Sequence, residues 1–150
     1  MSSNSPQLAK SMRATTEGFL YAWNGDWTSE TRRTSLSYRA PQCQHIMRPA
    51  TVATPPRSNE EWGEYFTHIE GRIFDGKMVI LDYFADLSSR RAVAHSTLTA
   101  TAKGVGDWSN EYMWLLDFDE TGEKITTIKE MLDSAATQNI RAALKAADAK

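Results

Sequence analysis

The chemistry of this chain must come from a few ionisable side chains set among aromatic ones. Glu61 sits one turn before Tyr65 and next to Trp62, so its carboxylate could act as a general base in a pocket walled by those two rings. It also closes the capping-box sequence Ser58-Asn-Glu-Glu61, which leaves both base and cap open to it. Arg39, two residues before Pro41, carries a rigid fork of donors suited to an enolate or carboxylate oxygen, although a surface arginine would read the same way. His45 alternates with Cys43 and Met47, so the three share one strand face, where a packed core histidine and a catalytic one fit equally well.

Other chemistries find less support. His45, His68 and His95 fall on three different predicted elements, with no HxH or HExxH, so no metal site is expected. Asp117-Phe-Asp119-Glu120 enters a Gly-containing turn and reads as turn chemistry. Gly104-Val-Gly106 lacks the third glycine and the following helix of a dinucleotide site, and neither GxSxG nor a Walker sequence occurs. What remains is the equipment of a proton-transfer enzyme that works without a cofactor.

The 150 residues suit a single domain spanning 1–150. With 17 basic and 19 acidic side chains the formal charge is −2, and no cationic block suggests nucleic acid or an anionic membrane as partner. The one cysteine excludes an internal disulfide, and neither a signal segment nor a long apolar run is evident. The expectation is a soluble, cytoplasmic protein.

Asn4-Ser5-Pro6 signals a helix start, Leu8, Met12, Phe19, Leu20 and Trp23 keep helical spacing, and Gly25 offers a stop. A short second helix is predicted over Thr28 to Leu36, and a loop leading into a short strand between Pro41 and Pro49. Trp62, Tyr65, Phe66, Ile69 and Ile73 form a stripe that predicts a helix to about Phe74. The period then drops to two, predicting strands over 78–85, 91–103, 108–118 and 124–132 joined by hairpin turns. An alanine-rich surface helix is expected over 135–147.

Helices followed by long strands predict an α+β fold, with helices on one face of an antiparallel sheet and a cavity between the layers. Pairing residue 97 with 114, and 114 with 128, would put His95, Thr97, Thr99, Tyr112, Trp114, Ile128 and Glu130 on one face. Neither face alternates cleanly, so the second is expected to be covered by another subunit in a homodimer.

Five segments together carry a family resemblance: Tyr38-Arg-Ala-Pro-Gln-Cys-Gln-His45, Ser58-Asn-Glu-Glu-Trp62, Asn110-Glu-Tyr112, Phe118-Asp-Glu-Thr-Gly-Glu-Lys-Ile125 and Glu130-Met-Leu-Asp-Ser134. In that order the chain resembles the fungal branch of the SnoaL-like polyketide cyclases, within the nuclear-transport-factor-two-like superfamily. The resemblance implies a curved antiparallel sheet wrapped around a cone-shaped pocket, commonly a dimer through the sheet, and chemistry without a cofactor, as in isomerases and cyclases of fungal meroterpenoid pathways. It also implies pocket roles for Arg39 and Glu61, which moves Glu61 from cap toward base. The limonene epoxide hydrolases of the superfamily would place their last aspartate near Asp133, but Arg91 to Lys103 contains no matching Arg-x-Asp. Scytalone-dehydratase-like chemistry is matched only loosely, by Tyr21, Tyr38 and His95.

The expectation is therefore a cofactor-independent isomerase or cyclase acting on an apolar, oxygenated polyketide or terpenoid-polyketide. Glu61 would take a proton, Arg39 hold the oxyanion, and His95 or Asp133 return or relay a proton. Tyr65, Trp114, Tyr112, His45, Glu130 and Trp62 would bind the hydrophobic substrate. A non-catalytic binding module, a dimeric scaffold, and a dehydratase or lactone hydrolase in the same pocket are the alternatives.

Overall fold

The computed structural model describes residues 5–150. The chain runs α1 (Ser5–Tyr21), α2 (Ser29–Ser37), β1 (Arg39–Arg48), a single 3-10 turn (Ala50–Val52), α3 (Asn59–Thr67), β2 (Ile73–Asp86), β3 (Arg91–Ala102), β4 (Gly106–Phe118), β5 (Ile125–Leu132) and α4 (Ser134–Asp148). The predicted cap at Asn4 lies outside the described residues.

The five strands form one sheet in the order β1-β5-β4-β3-β2. Its last four strands are the antiparallel meander that the short turns require. β1 departs from expectation because it is a ten-residue strand, not a short one, and it lies parallel to β5. The sheet is therefore mixed. Its strands carry register breaks at Phe74/Lys77, Ile80/Asp82 and Asp117/Phe118, irregularities that bend a strand and let the sheet curl around the helices.

The third helix is also shorter than its apolar stripe suggests. It stops at Thr67, the chain turns through Gly71 at φ +74°, and Ile73 starts β2. An apolar stripe marks what is buried, and here the last two apolar residues are buried from a turn and a strand.

Burial fixes the register. On the inner face lie Ala94, Ser96 and Leu98 of β3, Tyr112, Trp114 and Leu116 of β4, and Ile128 and Leu132 of β5. Residue 97 pairs with 111, and 114 with 94 and 130, so the pairings expected from turn centres are two to three residues off. His95, Thr97 and Thr99 are consequently on the outer face, a parity change that follows from the two-residue period of a strand.

α1 packs Met12, Thr15, Thr16, Phe19 and Leu20 inward. Beyond it, Gly25 and Gly76 exchange both backbone hydrogen bonds, at 2.9 and 2.8 Å. A Cβ on Gly76 would sit 2.3 Å from the Trp23 carbonyl oxygen, so only glycine lets β2 approach this closely and seat Trp23 and Trp27 in the core. Among the described residues, no helix is long and apolar enough to cross a membrane, and no cluster of three or more potential metal ligands occurs.

Candidate active site

Between the sheet and the helices lies a cavity of about 330 Å³, lined by residues of all five strands and of α3 and α4. Its walls are largely aromatic: Trp23, Trp27, Trp62, Trp108, Tyr112 and Trp114. All six residues expected to bind substrate, namely Tyr65, Trp114, Tyr112, His45, Glu130 and Trp62, line it. None of the four expected to do the chemistry does.

Each of those four has a physical reason for lying elsewhere. Glu61 is exposed, and its carboxylate accepts the Ser58 backbone N–H at 2.9 Å while Ser58 Oγ accepts the Glu61 N–H. The capping box is complete, and the Ser58 hydrogen bonds lower the carboxyl's pKa, so the group is a weak base in open solvent. Asp133 is exposed and caps α4, accepting from the N–H groups of Ala135 and Ala136. His95 lies on the outer face, where Glu111 holds its Nε2 at 2.5 Å. Arg39 is buried, but it sits behind the cavity wall.

The position of Arg39 organises the site. Its guanidinium lies over the Trp62 ring at 3.9 Å and donates to Ser35 Oγ at 3.1 Å and to His45 Nδ1 at 3.2 Å. A guanidinium can only donate, so Nδ1 of His45 must accept, and the proton of the neutral imidazole is on Nε2. That Nε2–H donates to Glu130 Oε1 at 2.7 Å. Burial lowers the pKa of both groups, Arg39 to about 10, so at neutral pH the arginine stays charged and the histidine stays neutral.

The result is a directed chain from Arg39 through His45 to Glu130. His45 is 3% exposed and the Glu130 side chain 13%. β1 and β5 build this pair because they run parallel and adjacent, with His45 across from Ile128 and Met47 across from Glu130. One oxygen of Glu130 is oriented by His45, and the carboxylate is part of the cavity lining.

Two phenols face the same space. Burial raises the pKa of Tyr65 and, more strongly, of Tyr112, with the Glu130 charge adding to both. Both therefore remain protonated donors, and among the described residues no hydrogen bond occupies either hydroxyl. Trp114 differs, because its indole N–H is already given to Ser96 Oγ at 2.9 Å and it contributes only its apolar surface. A held carboxylate facing free phenols in an apolar cavity can remove a proton from a bound molecule and stabilise the oxygen that becomes negative.

Sequence reasoning missed the contribution of α4. Thr137, Ile140, Arg141, Leu144, Lys145 and Asp148 recur at helical spacing and line the cavity, so the helix expected on the surface closes one side of it. The signal was present as a stripe of mixed apolar and long charged residues, whose stems cover apolar surface while their heads reach water. Arg57 was also missed. It pairs with His45 through an isolated bridge that the sequence does not announce.

No family model matches the chain. Among curated proteins, it is similar to Monooxygenase dmxR10 of Cryptosporiopsis sp., 29% identical over 115 residues that span 76% of this chain and 69% of that protein. It is also similar to Austinoid biosynthesis clusters protein J of Emericella nidulans, 28% identical over 114 residues that span 74% and 70%. Among solved structures, BvnE pinacolase of Penicillium brevicompactum superimposes with a TM-score of 0.84 at 22% identity, covering 94% of this chain and 99% of that one. PrhC of Penicillium brasilianum gives 0.83 at 21% identity, covering 95% and 93%. A putative SnoaL-like polyketide cyclase of Shewanella denitrificans gives 0.68 at 12% identity, covering 90% and 97%. Helices closing a curved mixed sheet around an aromatic cavity thus give the chain the nuclear-transport-factor-two-like fold, with a SnoaL-like protein and fungal proteins among its structural neighbours.

Proposed function

We propose that the protein is a cofactor-independent isomerase or cyclase that rearranges a polycyclic polyketide or meroterpenoid intermediate, with Glu130 as its general base. The observation that carries this reading is the buried His45–Glu130 contact of 2.7 Å at the wall of an aromatic cavity. His45 orients one carboxylate oxygen, and Arg39 fixes the tautomer that lets it do so. Glu130 takes a proton from a carbon beside a carbonyl, or from a hydroxyl, and the freed electron pair moves onto the substrate oxygen. Tyr112 or Tyr65 hydrogen-bonds that oxygen, and protonated Glu130 returns the proton at a second position. Atoms balance, so the product has the mass of the substrate.

The names of the relatives agree with a fungal biosynthetic setting, one being an austinoid cluster protein and one solved neighbour a pinacolase. The substrate is a hydrophobic small molecule. Purified protein incubated with extracts of polycyclic intermediates should yield a product of equal mass that E130Q protein does not form. Recovery of every intermediate unchanged overturns the reading in favour of a binding module.

A second reading is favoured by the name of dmxR10, a monooxygenase. Deprotonation by the same carboxylate at a CH2 group would give a carbanion that adds dioxygen to form a hydroperoxide, which loses water to leave a carbonyl. The product would then have gained one oxygen and lost two hydrogens, and would not form without air. The homodimer expectation has its surface on the outer sheet face, where Leu81, Phe84, Met113, Leu115 and Met131 are exposed. Sedimentation should give twice the chain mass, and a charged residue at Leu115 should halve it.

A further inference from the structure

Besides the exposed Lys145, the acid-base pair leaves two cations at the cavity unexplained. Of the carboxylates lining it, Glu130 is held by His45, and Asp148 by Arg72 at 2.6 Å. Arg57 and Arg141 line the same cavity, and among the described residues neither is paired with a carboxylate. Both are half-buried.

Their partners are neutral, and they hold both side chains in place. Arg57 exchanges two backbone hydrogen bonds with His45, at 2.8 and 3.0 Å, which sets it directly across from the residue that grips Glu130. Its guanidinium lies over the Tyr65 ring at 3.9 Å, and among the described residues its side chain makes one hydrogen bond, to the Met47 thioether at 3.6 Å, a weak acceptor. Arg141 crosses from α4 to donate to the Val52 carbonyl at 3.0 Å and to Thr54 Oγ1 at 3.1 Å. Two guanidinium groups partly withdrawn from water, in the wall of an apolar cavity, keep unused donors, and the exposed Glu61 outside the cavity offsets only part of the Arg57 charge. Tyr65 lies between the two kinds of charge: burial and Glu130 raise its pKa, while Arg57 and Arg141 both act on the phenol in the opposite sense.

We propose that Arg57 and Arg141 form an anion subsite beside Tyr65, which takes an oxyanion carried on the aromatic or polycyclic frame of the substrate. This rests on the reading of the cavity as the substrate site and adds that the substrate binds as an acid. The aromatic walls recognise the frame, and the forked donors recognise the charge. A carboxylate and an ionised phenol or enol offer the same chemistry to the fork.

Fluorescence titration with anilinonaphthalene sulfonate and with its uncharged counterpart N-phenylnaphthylamine tests the subsite on the full chain without knowledge of the substrate. R57Q should weaken sulfonate binding by about tenfold, as expected for loss of a charge-assisted hydrogen bond. R141Q should weaken it less and the double variant most, while affinity for the uncharged probe stays the same. Added salt should weaken only the sulfonate. If R57Q loses its fold by circular dichroism, R57K and the salt dependence decide instead, because R57K should keep most of the sulfonate affinity. Unchanged sulfonate binding in a folded double variant overturns the proposal, and so does equal loss of both probes.

Displacing the sulfonate with naphthoate or with naphthol separates a carboxylate from a phenol as the natural group, and displacement by neither overturns the proposal. E130Q keeps the acid-base reading separate: it should still bind the sulfonate, so its loss or retention of turnover bears on Glu130 alone.

Discussion

The molecule contains two histidine-glutamate pairs of nearly the same geometry and opposite surroundings. His45 and Glu130 meet at 2.7 Å on the inner face with side chains 3% and 13% exposed, whereas His95 and Glu111 meet at 2.5 Å on the outer face at 33% and 60%. The inner pair is joined to Arg39, lies against Trp62 and faces a cavity. In the single chain the outer pair is open to water. In water such a contact is screened and contributes little, while in the apolar wall the same contact orients a carboxylate and is stronger for the low dielectric around it. Residue type does not separate the two pairs; the environment does.

The sharpest way to break this comparison is to neutralise one acid at a time. E130Q should lower turnover by about 10² to 10⁴, the usual worth of a general base, while E111Q leaves it unchanged. Steady-state rates for the two variants would show it, and equal effects would remove the distinction drawn here.

The next effect is on stability against pH. Burial holds the folded pKa of His45 below its ordinary value of 6.5, so below about pH 6.5 the unfolded chain binds a proton that the folded chain resists. This contribution is full above that pH and is lost as pH falls toward the folded pKa. Thermal melts should therefore show the melting temperature dropping on acidification, with a shallower drop in H45F.

A smaller effect is expected at the cap. E61Q should lower the melting temperature by a few degrees at most and leave turnover intact, because its carboxylate is bonded to Ser58 and lies away from the cavity. Loss of turnover in E61Q would restore the base role that the sequence suggested. The smallest change is expected from E111Q, with stability within about 0.5 kcal/mol of the parent by chemical denaturation, as for other exposed polar contacts.

Much of the fold was legible. The capping box at Ser58 is a local signal, and its helix starts where it indicates, while the second helix lies where it was expected with a Thr28 cap that only the structure shows. The alternation of Cys43, His45 and Met47 also holds, because a period of two needs only a few residues to declare itself. The wall of the site was legible for a related reason, since aromatic residues in strands and on an apolar helix stripe must be buried somewhere, and here a cavity lies among them.

The machinery was less legible. Glu61 and Asp133 are acids at helix starts, and a cap and a catalytic carboxylate look alike in sequence. His95 and Glu130 were assigned to one face, but the true register puts an odd step between them. Inter-strand pairing depends on loop lengths and bulges, which local sequence constrains weakly.

The sequence by itself determined where the helices lie, the Ser58 cap, the four-strand meander, and the aromatic residues that had to form a core, because each depends on neighbours within about one turn or one hairpin. Only the tertiary structure decided which carboxylate meets which histidine. That meeting requires β1 to lie parallel beside β5, so that residues 45 and 130, far apart along the chain, become neighbours in a wall where burial, rather than residue type, gives the pair its chemistry.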